Sequence, residues 1–174
     1  PANPVIEKLD FDFASCGYAL CIVDTGGSHS DLTDEYAAVR KEMESVAEYL
    51  GKSVLREVDE DEFMKNIADI RSSCGDRAVL RAMHFYGDNA RVEKQAAALK
   101  AGDFETFKKY IIESGRSSYM YNQNVYSCKK ASEQPVSLAL SLSEKLLDGC
   151  GAWRVHGGGF AGTIQAFVPL NKLD

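Results

Sequence analysis

No apolar run in this chain approaches the ~20 residues that a membrane-spanning helix needs, so the sequence holds no helical membrane span. Positive charge is in deficit, with 20 Lys and Arg against 26 Asp and Glu and a net charge of −6. That balance argues against non-specific nucleic-acid binding. Cysteine occurs five times, at Cys16, Cys21, Cys74, Cys128 and Cys150, with no Cys-x-x-Cys. An odd count at wide spacing argues for reduced thiols in a cytoplasmic protein, against a disulfide framework or a zinc site. No His-x-x-x-His, His-Glu-x-x-His or Gly-x-Ser-x-Gly elbow occurs, and no cysteine pairs with a histidine in sequence. Internal repeats and low-complexity segments are missing too. What is present, 45% hydrophobic and 26% charged residues in a chain of 174, suits one soluble globular domain with a sizeable core.

The chain's most distinctive stretch is Val155-His156-Gly157-Gly158-Gly159-Phe160-Ala161-Gly162-Thr163, with four glycines in six residues. It lies between two short runs rich in β-branched and aromatic residues, 152–155 and 163–168, which read as strands. Glycine permits positive φ and close approach of another group to the backbone. Successive N–H groups in such a run can form an anion-holding nest, but a tight hairpin without a ligand fits equally well. The spacing Gly157-x-Gly159-x-x-Gly162 matches the dinucleotide fingerprint in letters only, because that fingerprint opens a helix and here a strand follows.

Taken in order, Tyr18-Ala19-Leu20-Cys21-Ile22-Val23 reads as a buried strand that ends at the turn Asp24-Thr25-Gly26-Gly27. A helix over roughly 33–50 follows, capped by Asp31 or Thr33, with Tyr36, Val39, Met43, Val46 and Leu50 on one stripe. Further helices are expected over roughly 60–73, 77–100 and 104–118, the last capped by Asp103. Residues 119–131 read as a loop or frayed helix end. A fifth helix runs from about 133 to 147, with Pro135 in its first turn and Leu138, Leu142 and Leu146 facing inward. Strand, five helices, strand, strand predicts an α+β domain, an antiparallel sheet with helices packed mainly on one face.

Few residues suggest chemistry. Ser28, His29, Ser30 and Asp31 precede a helix start and suit a phosphate or sugar hydroxyls, or simply a capped loop. Tyr36 is a core tyrosine or one whose hydroxyl reaches a cleft. Arg40, one turn on, can meet a carboxylate or a phosphate. His84, amid Met83, Phe85 and Tyr86, reads as structural. His156 points at a ligand or is satisfied within its strand. No pair of carboxylates stands out as a metal or acid–base site.

Three stretches, taken together, resemble the galactokinases within the GHMP kinases. Asp34-Glu35-Tyr36-Ala37-Ala38-Val39-Arg40 is similar to that family's Glu-Tyr…Arg helix. Gly157-Gly158-Gly159-Phe160-Ala161-Gly162 is similar to its third motif, Gly-Gly-Gly-Phe-Gly-Gly. The segment from Val92 to Ser117 resembles an Ala-rich helix leading through Gly-Asp-Phe into a helix ending in Glu-Ser. The likeness covers roughly residues 18–168.

The resemblance implies ATP-dependent phosphorylation of the anomeric hydroxyl of galactose, with Mg2+, in a cleft between two domains. It implies that Tyr36 contacts the sugar and that Gly157, Gly158, Gly159 and Gly162 lie beside the nucleotide phosphates, with Ser28 and His29 bordering the nucleotide side. The family's first motif, with its Asn-Leu-Ile-Gly-Glu-His run, and its Ser-rich second motif are absent, as is the segment carrying the Asp base. The chain is therefore expected to be the C-terminal domain alone, residues 1–174, inactive by itself, partnered by the N-terminal domain of the same protein and lacking a final helix and strand. One sheet edge should then be unpaired. A galactokinase-like sensor without catalysis, or a kinase for a related sugar, is the alternative. Ala161 replaces a family glycine, where positive φ would be costly, and Ser28 stands where some relatives carry Arg.

Overall fold

The computed structural model describes residues 6–28 and 30–173. Strand β1, Tyr18–Asp24, is followed by helices α1, Thr33–Tyr49, α2, Glu60–Lys65, α3, Ile67–Cys74, α4, Asp76–Lys100, α5, Phe104–Ser117, and α6, Pro135–Leu147. Strands β2, Ala152–Val155, and β3, Thr163–Pro169, complete the order. The three strands form an antiparallel sheet in the order β1-β3-β2. The chain is α+β, as expected.

Alternation along the strands sets the two faces. Ala152 pairs with Phe167, and both pack against Phe104, Phe107 and Ile111 of α5. Val155 pairs with Ile164 and, with Trp153 and Ala166, packs against Val136, Leu140 and Leu147 of α6. Thus α5 covers one face, α4 packs on α5, and α1 and α3 pack on α4, while α6 packs on the other face. A separate core joins Val46, Phe63, Ile70, Ala82 and Tyr86 beneath the α1–α4 layer.

Local chemistry accounts for most boundaries. The Asp103 carboxylate accepts from the Thr106 N–H at 3.0 Å and starts α5. Pro135 occupies the first turn of α6, where no backbone donor is lost. Three expectations need correction. First, α1 starts without a side-chain cap; Leu32 occupies the capping position, and neither Asp31 nor Thr33 caps it. Second, the helix expected over 60–73 is two helices that meet at Asn66, whose N–H is shared between the Glu62 and Phe63 carbonyls at 3.3 and 3.2 Å and whose side chain also donates to the Glu62 carbonyl at 2.8 Å. Third, Leu138, Leu142 and Leu146 are exposed, at 62%, 51% and 67%, and the buried stripe of α6 is Val136, Leu140 and Leu147. Both stripes have helical spacing, so periodicity alone does not choose between them.

Of the two expectations for the stretch after α5, a loop or a frayed helix end, its first residues take the second. Ser118–Asn122 forms a π turn closed by Gln123, whose N–H donates to the Ser118 carbonyl at 2.8 Å and whose φ is +53°. It brings Asn122 and Asn124 beneath the β2–β3 loop.

Candidate functional site

The β2–β3 loop holds the site together. Gly157, Gly159 and Gly162 all take positive φ, as does Phe160 at +58°. Ala161 does not take positive φ, so the strain its identity suggested is absent; the left-handed residue is its neighbour. Phe160 sits at the centre of a γ-turn, with the Ala161 N–H donating to the Gly159 carbonyl at 2.7 Å. Burial of its ring, 3% exposed and edge-on to Tyr36 at 5.4 Å, holds that conformation in place.

Tyr36 stands in the first turn of α1 because Val39 and Met43, on the same stripe, pull that face of the helix inward. Its hydroxyl donates to the Gly159 carbonyl at 2.7 Å. Burial raises its pKa above the ordinary phenol value, so the proton it donates stays in place. The ring lies so close to Gly158 that a methyl group there would fall 2.7 Å from Cε1. At the far end of the loop, the Thr25 N–H and hydroxyl both donate to the Gly162 carbonyl, at 2.8 and 2.6 Å. Gly27 packs against Ala161, leaving 3.1 Å between a notional Cβ and the Ala161 Cβ. The exit of β1, the start of α1 and the glycine loop therefore converge.

Two cavities flank the loop. The larger, about 590 Å³, is lined by Tyr36, Val39, Met43, Phe85, Gly157 and Gly158, with Arg40, Glu44 and Arg56 among its polar groups. The smaller, about 60 Å³, lies among Ser28, Ser30, Phe160 and Ala161. Among the described residues, the N–H groups of Gly157, Gly158 and Gly159 carry no hydrogen bond. Gly157 and Gly158 are exposed and Gly159 is buried. Unpaired N–H groups on a glycine turn are the ingredients of an anion nest.

The sequence-derived candidates divide accordingly. Tyr36, Gly157, Gly158, Gly159 and Gly162 come together, and Ser28, hydrogen-bonded to Ser30 at 2.8 Å, borders the small cavity. His29 lies outside the described residues. Arg40 is exposed and pairs with Glu44 at 2.7 Å. His156 is exposed and shares a 3.1 Å hydrogen bond with Gln165. His84 is buried, bonded to Ser117 at 2.9 Å, and burial lowers its pKa, as a structural histidine requires. Among the described residues no group of three or more His, Cys, Asp or Glu could hold a metal ion.

Three contributors escape sequence reasoning. Thr25 anchors the loop's end, and Glu35, 8% exposed, accepts from the Ser127 hydroxyl at 2.7 Å. Asn124 grips the loop with side chain and backbone together. Only the tolerance of asparagine for turns marks the 122–124 segment in the sequence, and nothing local says that it meets a loop more than thirty residues away.

No family model matches the chain. Galactokinase of Actinobacillus pleuropneumoniae serotype 5b (strain L20) is 27% identical over 158 residues, which cover 91% of this chain and 39% of that protein. Human galactokinase is 35% identical over 153 residues, 88% of this chain and 36% of that protein. Among solved structures, Lactococcus lactis galactokinase complexed with galactose superposes with a TM-score of 0.67 at 22% identity, covering 95% of this chain and 40% of that one. The chain spans about two fifths of the length of the curated relatives it matches.

Proposed function

We propose that this galactokinase-like chain is the C-terminal domain of a sugar kinase and supplies one wall of a cleft in which ATP phosphorylates the anomeric hydroxyl of galactose. The observation that carries the proposal is the glycine loop, with three adjacent N–H groups unpaired beside a tyrosine hydroxyl in fixed orientation. ATP supplies the γ-phosphoryl group; ADP and galactose 1-phosphate are the products. The loop's backbone fits phosphate oxygens, because N–H donors place partial positive charge near an anion without a side chain in the way. Tyr36 and Asn124 fill the space that a side chain on Gly158 or Gly159 would need, so the loop is held close on those sides, while Gly157 and Gly158 stay exposed for a ligand to approach.

The loop's backbone fits the phosphates, and among the described residues no group of three or more His, Cys, Asp or Glu is placed to hold a metal. The roles assigned to this chain are binding and orientation. Tyr36 presents its ring and hydroxyl on the sugar side, and Ser28 borders the nucleotide side, the side to which the sequence resemblance also assigns His29. Phosphoryl transfer relies on positioning and charge stabilisation, so half a cleft is expected to give no measurable turnover. The proton of the anomeric hydroxyl leaves to a base outside this chain, in the N-terminal domain.

The test is galactose-dependent ADP release by the full-length protein, with and without Gly158→Ala. Turnover that falls about a hundredfold in the variant supports the loop's role, as expected when positioning is lost. ATP and galactose binding without ADP release would instead identify a sensor.

A further inference from the structure

Asn124 is buried, at 4% exposed, and makes two hydrogen bonds to the glycine loop. Its Nδ2 donates to the Gly158 carbonyl at 3.1 Å, and its own carbonyl accepts from the Phe160 N–H at 2.5 Å. A methyl group on Gly159 would lie 1.8 Å from that same carbonyl oxygen. Across a planar trans peptide the C=O and N–H point in opposite directions, and no peptide among the described residues is cis. The bond to the Gly158 carbonyl therefore fixes the 158–159 peptide and aims the Gly159 N–H away from Asn124. The next peptide, 159–160, is held from both sides: Tyr36 donates to its carbonyl and Asn124 accepts from its N–H. Two successive peptide planes are clamped.

Asn124 is itself placed from a distance. Arg81, 1% exposed, donates through Nε to the Asn122 carbonyl at 3.0 Å and through Nη1 to Glu42 at 2.9 Å. Glu42 and Tyr36 share α1. The contacts form a closed ring: α1 to Arg81, Arg81 to the π turn, the π turn through Asn124 to the loop, and the loop back to Tyr36.

We propose that Asn124 is a positioning residue for the glycine loop, and that Arg81 acts through it by locking the turn that immediately precedes it. The clamp stands on the contacts alone; its effect on ATP rests on the function proposed above.

The experiment uses the full-length protein with Asn124→Asp and Arg81→Lys, and two readouts. Asn124→Asp keeps the volume and the backbone carbonyl but faces the Gly158 carbonyl with an acceptor in place of a donor. Hydrogen exchange of the peptide containing residues 156–162 is expected to speed up about tenfold in both variants, as local opening becomes easier. The KM for ATP is expected to rise roughly fivefold, with the KM for galactose unchanged, a split that general destabilisation does not produce. Arg81→Lys keeps the charge but loses the fork, and serves as the second test of the same relay. Exchange within about twofold of wild type in both variants, on a scale where local opening spans orders of magnitude, overturns the clamp. Faster exchange with an unchanged ATP dependence supports the clamp and removes the loop's phosphate role instead.

Discussion

Gly159 is the residue at which the account is most exposed to test, because two independent features forbid a side chain there. Its φ is +82°, and a Cβ would overlap the Asn124 carbonyl oxygen. Gly159→Ala is therefore expected to destabilise the domain by about 2 kcal/mol or more, through left-handed strain and displacement of the clamp. Thermal unfolding checks this, and a stability equal to wild type would mean the loop is not held as described. Tyr36→Phe removes one hydroxyl donor to a carbonyl that the Ala161 N–H still partners. The cost is expected to be about 1 kcal/mol, read as a lowered Tm, while the edge-on contact with Phe160 survives. His84 gives a pH dependence with a defined sign. Its pKa in the fold lies below the ordinary value, chiefly through burial. The unfolded chain binds the proton more readily, so this contribution to stability is complete above about pH 6.5 and declines as the pH falls from there toward the folded value. His84→Gln should flatten the stability profile between about pH 7.5 and 5.5, and an unchanged profile would contradict a buried neutral imidazole.

At the scale of elements, α6 carries the sharpest prediction. Its exposed leucines touch little within the chain, whereas Leu140 is buried against the sheet. Leu142→Glu should change the stability of this domain by less than about 0.5 kcal/mol, and Leu140→Ala should lower it by about 2–4 kcal/mol. Equal effects would reverse the orientation of the helix. The helix shows where sequence reasoning ends. Leu138, Leu142 and Leu146 and the alternative Val136, Leu140 and Leu147 are equally apolar at helical spacing, and only the third dimension ranks them. Where one feature dominates, the sequence is legible: Asp103 caps α5, Pro135 starts α6, and the β2–β3 glycines bound two strands. Tyr36 and the glycine loop were legible as candidates because both carry recognisable residue patterns. Asn124, Thr25 and Arg81 were not, since each acts through a long-range contact that leaves no spacing signature.

At the scale of the molecule, the surfaces left open suit a larger assembly. The outer edge of β1 has no strand beside it among the described residues, and Leu20, Ile22 and Val23 are 45%, 50% and 42% exposed. An unpaired edge with apolar side chains is a pairing hazard unless something covers it. Under the function proposed above, a longer protein is expected to cover the β1 edge and the α6 leucines; the curated relatives are more than twice as long as the matched region. The central claim is that the glycine loop, presented by α1 and the π turn, is one half of an ATP site completed by another domain. Isothermal titration of Mg-ATP into the 174-residue chain, the full-length protein and the full-length Gly159→Ala variant tests it most directly. The account predicts binding by the full-length protein, affinity at least about tenfold weaker in the variant, a loss of about 1.4 kcal/mol, and no detectable binding by the chain alone. Equal affinity for Mg-ATP in the wild-type and Gly159→Ala full-length proteins would contradict it.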